Sequence, residues 1–281
     1  MIKEYADLHL HTTFSDGFNS VEEVVKNAHR HRLKAISITD HETFEGVSNA
    51  VSEAKQYDIE VIPGIELSAL TGDKEVHVLG YFIDYRDVAL QKILNELKEK
   101  RKERLRNIVR NLMRQGIQID FDDLMKFAGP GTVGRLHLAH FLYRNKIVSN
   151  VYEAFDKYIG AGKPSYVKMD ALTHQKAIEL ILNAGGIPVL AHPEADHLDD
   201  LIRSLISLGL KGLEVYHSKF TKKTSKSLLN IANKYDLLVT GGSDCHGEGK
   251  LTPLIGNVKL PYDYVEKLKN HAKIDASLLQ A

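Results

Sequence analysis

Short apolar runs alternate with amphipathic segments along most of the chain. Seven of these runs predict β-strands, and the segments between them have the spacing of helices with one buried face. Strands that alternate with helices favour an α/β fold. The predicted strands are Tyr5–His11, Ala35–Thr39, Glu60–Ile65, Val76–Ile83, Pro188–Ala191, Gly212–Tyr216 and Leu237–Gly241.

The predicted helices carry recognisable signals at their ends. Ser20 followed by Glu23 is typical of a capping box, and Gly185 with Gly186 is typical of a helix stop. Seven strands mostly alternating with helices predict a parallel α/β barrel, in which functional side chains gather at the carboxyl ends of the strands. The predicted helices are Ser20–His31, Thr43–Tyr57, Thr173–Ala184, Asp199–Leu208 and Lys222–Tyr235.

The middle of the chain breaks this alternation. From about Val88 to Gly160 the spacing is helical and predicts no strand. We therefore expect a helical insertion or cap domain over residues 96–165, and a barrel domain formed by residues 1–95 and 166–281. The charged run Glu96–Arg106 mixes glutamates with basic residues at helical spacing. That pattern favours a solvent-exposed helix with internal ion pairs over a nucleic-acid contact.

Imidazole and carboxylate side chains recur where the predicted strands end. His9 and His11 alternate at the end of the first strand, so both rings point to one side, where they can bind a metal ion. Two surface histidines are the alternative for this motif taken alone. The recurrence of such residues at later strand ends instead predicts a site for several metal ions. The later residues are Asp40, His41, Glu66, His77, His192, Glu214, His217, Asp244 and His246.

Composition narrows the functional classes. Lys plus Arg and Asp plus Glu number 37 each, so net charge indicates neither a nucleic-acid nor a membrane partner. The single cysteine, Cys245, excludes an internal disulfide and is expected to pack in the core. No segment resembles a signal peptide or contains ~20 consecutive apolar residues. We expect a cytoplasmic protein, and nothing in the pattern indicates an obligate protein partner.

Together these motifs resemble those of the PHP (polymerase and histidinol phosphatase) family of metal-dependent phosphoesterases. Two further elements, Gly134–His137 and Gly162–Val167, are similar to those of a bacterial branch of the family. That branch removes the 3′-phosphate of nucleoside 3′,5′-bisphosphates and trims short 5′-phosphorylated RNA in the 5′ to 3′ direction. The motifs that carry the family resemblance are Asp7–His11, Ser15–Gly17, Thr39–His41, Gly64–Glu66, Ala191–Pro193 and Gly242–His246.

The resemblance implies the PHP fold, which is a distorted seven-stranded (β/α)7 TIM-like barrel, and a centre of three divalent ions. One ion would be bound by His9, His11, Glu66 and Asp244. Glu66 would bridge to a second ion, which is also bound by His77 and His192. The third ion would be bound by Asp16, His41 and His246. Imidazoles and carboxylates without a thiolate suit Mn²⁺, Zn²⁺ or Fe²⁺.

Such a centre explains phosphate-ester hydrolysis. Two cations that share Glu66 are expected to lower the pKa of a bridging water from ~15.7 toward neutrality, so that hydroxide attacks phosphorus. Glu66, Asp244 and His217 are the expected catalytic residues, with His217 donating to the substrate phosphate or to the leaving group. Asp40 is expected to orient a ligand imidazole or to cap the helix that follows it.

Substrate recognition is expected outside the metal ligands. Arg135 can hold a phosphate through two parallel hydrogen bonds, and the resemblance implies that it binds the 5′-phosphate of a nucleotide. His137, Lys163, Tyr166 and His217 are further candidates, with packing and loop structure as the alternatives. The other histidines are expected on surfaces or in packing, namely His29, His31, His140, His174, His197 and His271.

Three other functions stay open at this point. The first is hydrolysis of a different small phosphomonoester such as histidinol phosphate. The second is a non-catalytic metal-binding module, against which the complete ligand set argues. The third is hydrolysis of a carbon–nitrogen bond, against which a third cation and Arg135 argue.

Overall fold

The structure is a computed structural model that describes residues 3–72, 74–193, 198–247 and 255–272, so His197 lies outside the described residues. The strands are β1 (Tyr5–Leu10), β2 (Ala35–Ile38), β3 (Glu60–Val61), β4 (Gly64–Thr71), β5 (Lys74–Tyr81), β6 (Leu172–Thr173), β7 (Ile187–Leu190), β8 (Gly212–His217), β9 (Leu238–Gly242) and β10 (Leu260–Pro261). The helices are α1 (Val21–Arg30), α2 (Glu45–Ala54), α3 (Val88–Arg114), α4 (Phe121–Ala128), α5 (Arg135–Arg144), α6 (Val151–Ala154), α7 (His174–Asn183), α8 (Leu198–Ser207), α9 (Lys222–Lys234) and α10 (Tyr262–Ala272).

The strands pair into two mixed sheets. The first has the order β10-β1-β2-β3, in which β10 alone is antiparallel to its neighbour. The second has the order β6-β4-β5-β7-β8-β9, in which β5 is antiparallel to both β4 and β7. Isolated parallel bridges between Leu10 and Cys245 and between His41 and Glu66 connect the two sheets. These bridges lie at the strand ends that carry the candidate ligands.

The predicted α/β class is confirmed, but the strand count and the uniformly parallel sheet are wrong. The described residues form ten strands rather than seven, and a single closed barrel is not confirmed. The predicted strand Glu60–Ile65 divides at Pro63, which has no N–H to donate to a neighbouring strand. The second piece, β4, extends to Thr71 and pairs antiparallel with β5. Strands β6 and β10 have two residues each, too few to give a sequence pattern.

The predicted helices outside the middle segment are confirmed to within a few residues. Ser20 caps α1, its side chain accepting from the Glu23 N–H while the Glu23 carboxylate accepts from the Ser20 N–H. The apolar face of α1 is buried as its spacing predicts. No helix within the described residues is long and apolar enough to cross a membrane.

Between β5 and β6 the regular secondary structure consists only of helices, as predicted. Helix α3 begins at Val88, so residue 96 lies inside it. The helices from α3 to α6 share an apolar cluster that includes Leu105, Ile108, Leu112 and Leu138. Thr132 donates its N–H to the carbonyl of Phe14 at 2.9 Å, which attaches this segment to the loop after β1.

The charged run Glu96–Arg106 within α3 is not the fully solvated face that its composition favours. Arg101 and Arg104 are both buried. The Arg101 guanidinium forms a buried ion pair with Glu42, and Arg101 Nη2 also donates to Ser68 Oγ at 2.8 Å. The intrahelical ion pair between Glu103 and Arg106 is exposed, as expected. One face of α3 therefore connects the helical segment to the loop that carries His41.

We expect Arg101→Met to lower the free energy of unfolding by about 3–5 kcal/mol, because it leaves the Glu42 carboxylate buried without its partner. Denaturant titration monitored by circular dichroism measures this loss. Arg110→Met is the matched control, since Arg110 is exposed on the same helix and should change stability by no more than about 0.5 kcal/mol. If both substitutions lowered the free energy of unfolding equally, the buried Arg101–Glu42 pair would not be the source of the loss.

Candidate metal centre

The ends of β1 and β9 are held together by close backbone contacts. His9 and His11 project from the same side of β1, as the alternation predicts. Asp244 donates its N–H to the His9 carbonyl at 2.9 Å, and His11 donates its N–H to the Cys245 carbonyl at 3.0 Å. A Cβ at Gly242 would lie 2.3 Å from the His9 nitrogen, so only glycine permits this approach. Cys245 is buried in the core, as expected.

Glu66 on β4 is the centre of the site and is almost completely buried. Five imidazole nitrogens lie 2.8–3.3 Å from its two carboxylate oxygens. Oε2 faces His9, His11 and His41, whereas Oε1 faces His77 and His192. One carboxylate therefore joins two groups of imidazoles that come from four different strands or strand ends.

A second carboxylate, Asp16, lies on the loop that follows β1. Its Oδ1 is 3.2 Å from His246 Nε2 and 3.8 Å from His41 Nε2. Asp244 approaches the first group, with Oδ1 3.3 Å from His11 Nε2. The structure thus brings all nine predicted metal ligands into one cluster. Overlapping sets within it, such as His11 with Asp16, His41 and His246, have ligand atoms within 4.8 Å of one another.

The charges in the cluster compensate one another. Burial opposes ionisation of Glu66, but the imidazoles of His77, His9 and His41 hold its pKa well below its usual range. Burial by itself would lower the pKa of His11, yet Asp244 and Glu66 raise that pKa to about 9. In the same way, Glu66 and Glu75 raise the pKa of His77 to about 10 against the effect of burial. Without cations the protein therefore holds protons at this site.

The hydrogen bonds of the rings leave nitrogen lone pairs for cations. His9 Nδ1 donates to Glu214 Oε1 at 3.0 Å, and His246 Nδ1 donates to the Asp244 carbonyl at 2.9 Å. The remaining Nε2 of each ring faces a carboxylate of the cluster. His9 Nε2 and His11 Nε2 are buried and form no hydrogen bond with the described residues. Once these rings are neutral, their convergent, buried nitrogen lone pairs beside carboxylates fit divalent metal ions.

Glu214 on β8 is a residue whose role the sequence analysis missed. Its carboxylate is buried and also accepts the His192 N–H at 2.7 Å, so it orients one candidate ligand and the backbone of another. A single carboxylate within the apolar strand Gly212–His217 marks it as a candidate in the sequence, but no local signal shows that it holds His9. The backbone of His192 has a positive φ of 24°, a strained conformation that this hydrogen bond helps to hold.

Asp40 has a different role from either of the two expected. It accepts hydrogen bonds from Thr12 N at 2.7 Å, Thr12 Oγ1 at 2.6 Å and Ser15 Oγ at 2.5 Å. These bonds fix the turn between His11 and Asp16. Asp40 therefore positions two candidate ligands through the backbone, and neither orients an imidazole directly nor caps α2.

A cavity of about 940 Å³ opens over the cluster. Arg135, the first residue of α5, lines it, and its Nη2 lies 3.5 Å from Glu75 Oε2. Arg104 lines the cavity as well, and both guanidinium groups lie over the Tyr166 ring, at 5.6 Å for Arg135 and 5.7 Å for Arg104. Neither Arg104 nor Glu75 was predicted from the sequence, because each resembles an ordinary solvent-exposed charged residue when only its neighbours in the chain are considered.

The other predicted substrate residues occupy different positions. His137 is buried, and its Nδ1 accepts the Gly134 N–H at 3.2 Å at the start of α5. Lys163 is exposed on a loop. Neither these two nor Tyr166 is among the described residues that line the cavity. Their substrate contacts stay predictions, whereas the ring of Tyr166 contacts Arg135.

His217 lies at the edge of the cavity, beside the cluster. Its Nδ1 accepts the Lys219 N–H at 3.1 Å, so the proton of the neutral ring resides on Nε2. That Nε2 is buried, 3.6 Å from Asp244 Oδ2. The Lys219 amine, which the sequence analysis also missed, is 3.3 Å from the same oxygen. This side of the cavity therefore offers two donors next to the candidate metal ligands.

A buried cluster of imidazoles and carboxylates at the strand ends of an α/β fold defines a metallohydrolase class, and comparison with known proteins specifies the family. Residues 7–268 match the PHP domain. The chain belongs to the PHP domain family, as its motifs predict.

Three related proteins illustrate the similarity. A 5′-3′ exoribonuclease of Haemophilus influenzae is 34% identical over 251 residues, which are 88% of this chain and 91% of the relative. A 3′,5′-nucleoside bisphosphate phosphatase of Chromobacterium violaceum is 32% identical over 250 residues, 87% of this chain and 88% of the relative. The crystal structure of a Bifidobacterium adolescentis protein described as a metal-dependent phosphoesterase superposes with a TM-score of 0.88, at 28% identity and 97% coverage of each chain.

We expect metal binding to release protons. With pKa values of about 9 and 10, His11 and His77 are protonated near neutral pH in the metal-free protein, but they must be neutral to bind a cation. Calorimetric titration of Zn²⁺ in buffers of different ionisation enthalpy should therefore give buffer-dependent heats, with affinity that rises with pH. Heats that are independent of the buffer would contradict this protonation state.

The same raised pKa values predict how the stability of the metal-free protein depends on pH. The stabilisation from the two protonated rings is complete below about pH 6.5, the ordinary pKa of histidine. It is lost as the pH rises through about 9 and 10, the values in the folded protein. Thermal unfolding of the chelator-treated protein should show a falling Tm over this range. A Tm that rises there would contradict the assignment.

Proposed function

We propose that this protein is a metal-dependent phosphohydrolase that removes the 3′-phosphate of nucleoside 3′,5′-bisphosphates. At the same site it trims short 5′-phosphorylated RNA in the 5′ to 3′ direction, because both reactions break a phosphate ester at a 3′ oxygen. The observation that carries the proposal is one cavity that contains the Glu66 cluster and the Arg135 guanidinium. The activities of the H. influenzae and C. violaceum relatives support it.

The cluster binds three divalent ions in this proposal, and the donor set suits Mn²⁺, Zn²⁺ or Fe²⁺. One ion would be held by His9, His11, Glu66 and Asp244, and a second by Glu66, His77 and His192. Asp16, His41 and His246 would hold the third. Bound cations lower the pKa of water and neutralise charge on the phosphoryl oxygens.

Side chains around the cluster position the substrate. Arg135 binds the 5′-phosphate, and its stacking on Tyr166 and its contact with Glu75 hold the guanidinium in place. His217 lines the cavity, and its Nε2–H would donate a hydrogen bond to the substrate phosphate or to the leaving 3′ oxygen. Asp244 lies beside this ring and orients it.

The organisation of the chain is proposed on the same basis. The two sheets are joined at the bridges Leu10–Cys245 and His41–Glu66, and they form the distorted PHP barrel domain of residues 1–95 and 166–281. The helical segment of residues 96–165 is its cap. Its separate apolar cluster and its contribution of Arg135 to the cavity support this division.

Phosphate release by purified protein tests the function. Chelator-treated protein is reconstituted with Mn²⁺, Zn²⁺ or Fe²⁺ and assayed with adenosine 3′,5′-bisphosphate and with a 5′-phosphorylated oligoribonucleotide. We expect metal-dependent hydrolysis of both, and loss of activity and metal content in Asp244→Ala. The proposal would be refuted if the protein hydrolysed neither substrate with any of the three metals. Full activity of Asp244→Ala would also refute it.

Arg135→Ala should weaken catalysis on 5′-phosphorylated substrates by about 2–4 kcal/mol, because it removes a charged contact from an enclosed site. The value comes from kcat/KM ratios for matched substrates with and without the 5′-phosphate. Arg144→Ala, at the exposed end of the same helix, is the control. An equal loss on the substrate that lacks the 5′-phosphate would contradict the assigned contact.

Glu214→Gln should reduce metal affinity or activity by about 10- to 100-fold. The reason is that a neutral amide accepts the His9 Nδ1–H hydrogen bond more weakly than the carboxylate does, so it holds the ring less firmly. Metal content after dialysis and kcat together measure the effect. Glu179→Gln, an exposed carboxylate on α7, is the matched control. A Glu214→Gln protein with full metal content and full kcat would show that the orientation of His9 does not depend on this carboxylate.

A further inference from the structure

Exposed aromatic side chains are concentrated at the mouth of the cavity. Among the described residues, four large apolar or aromatic side chains are notably exposed, and two of them line this cavity: Tyr143, 50% exposed, and Tyr152, 59% exposed. The other two, Val88 and Met113, lie on α3 and are not among the described lining residues. Single exposed apolar residues are common on protein surfaces, but two exposed rings that line the same cavity indicate a binding surface.

The two tyrosines continue a surface that begins at Arg135. Phe155 also lines the cavity, and its ring lies 6.0 Å below the Arg135 guanidinium. Tyr143 is on the last turn of α5 and Tyr152 is on α6, and these helices pack against each other. Exposure increases from partly buried Phe155 to the tyrosines. The aromatic wall, defined as Tyr143, Tyr152 and Phe155, therefore extends outward from the proposed 5′-phosphate contact.

The charged residues of the cavity indicate the chemical class of the ligand that contacts the aromatic wall. Arg101, Arg104, Arg135 and Lys219 line the same cavity as the carboxylates Asp16, Glu66, Glu75 and Asp244. Divalent ions bound by the cluster, as in the proposed function, would offset its carboxylates, so the basic side chains favour an anionic occupant. A purely apolar ligand would not need these charges, and a sugar phosphate would not need exposed rings. Rings beside a basic groove bind the bases of nucleotides, because every base offers a flat face for stacking. The volume of about 940 Å³ is at the upper end of ordinary ligand pockets, so it accommodates a base as well as two phosphates.

We propose that the aromatic wall stacks the base of the nucleotide whose 5′-phosphate binds Arg135. The inference rests on the proposed function and adds a substrate requirement to it: the enzyme acts on base-bearing nucleotides and not on sugar bisphosphates. Stacking uses the face of a base and not its hydrogen-bonding edge, so the wall accepts all four bases similarly.

A substrate without a base tests this proposal. We compare adenosine 3′,5′-bisphosphate with the 3′,5′-bisphosphate of 1-deoxyribose, in which hydrogen replaces the base. We expect Tyr143→Ala/Tyr152→Ala to lower kcat/KM for the adenosine substrate by about 5- to 150-fold, the range that corresponds to loss of stacking on one base. Activity on the baseless substrate should not change.

Two controls accompany the comparison. Tyr143→Phe/Tyr152→Phe keeps both rings and should behave like the unchanged protein. Val88→Ala removes an exposed apolar side chain on α3 and should have no effect on either substrate. Equal loss on both substrates, or no loss on the adenosine substrate, would overturn the proposal.

Failure of the proposed function gives a different result. In that case the unchanged protein releases phosphate from neither substrate. Calorimetric binding of the same two bisphosphates then tests the wall by itself. Tighter binding of the adenosine compound, abolished in the double alanine variant, would support stacking, and equal binding of the two compounds would refute it.

Discussion

The structure depends on placing the Glu66 carboxylate in the interior among five imidazoles. Moving a charge out of water costs several kcal/mol, and only close partners offset that cost. Here the partners lie 2.8–3.3 Å away on both oxygens. Glu66 also forms the bridge to His41 that connects the two sheets. The same residue therefore joins the sheets and organises the chemistry, so the fold and the site cannot vary independently.

Backbone hydrogen bonds also hold the residues around Glu66 in place. His192 and Asp244 have positive φ angles of 24° and 53°, conformations that cost energy and are typical of functional sites. Glu214 holds the N–H of His192, and the His9 carbonyl holds the N–H of Asp244. The strain is thus offset by buried hydrogen bonds to β8 and β1. The helical segment adds Arg101, which pairs with Glu42 next to His41.

Local sequence patterns predicted most of the elements and indicated a metal site at the strand ends, because strand ends and alternation are properties of a few neighbouring residues. The full set of nine ligands, which includes Asp16, came from the family resemblance. What the local patterns missed depends on partners distant in sequence. Glu214 is a strand-end carboxylate in the sequence, but its role in orienting His9 follows only from a contact with a residue 205 positions away. Arg101 resembles a solvated residue until its pairing with Glu42 is seen. The break at Pro63 and the antiparallel hairpin of β4 with β5 changed the topology, since a run of apolar residues does not specify strand direction.

Cation binding at Glu66 is open to a direct measurement, element-specific anomalous X-ray scattering from crystals grown with Zn²⁺. We expect anomalous peaks within about 2.0–2.2 Å of both Glu66 oxygens, the distance of a zinc–carboxylate bond. Crystals of an active protein with no anomalous peak at that distance from Glu66 would contradict it.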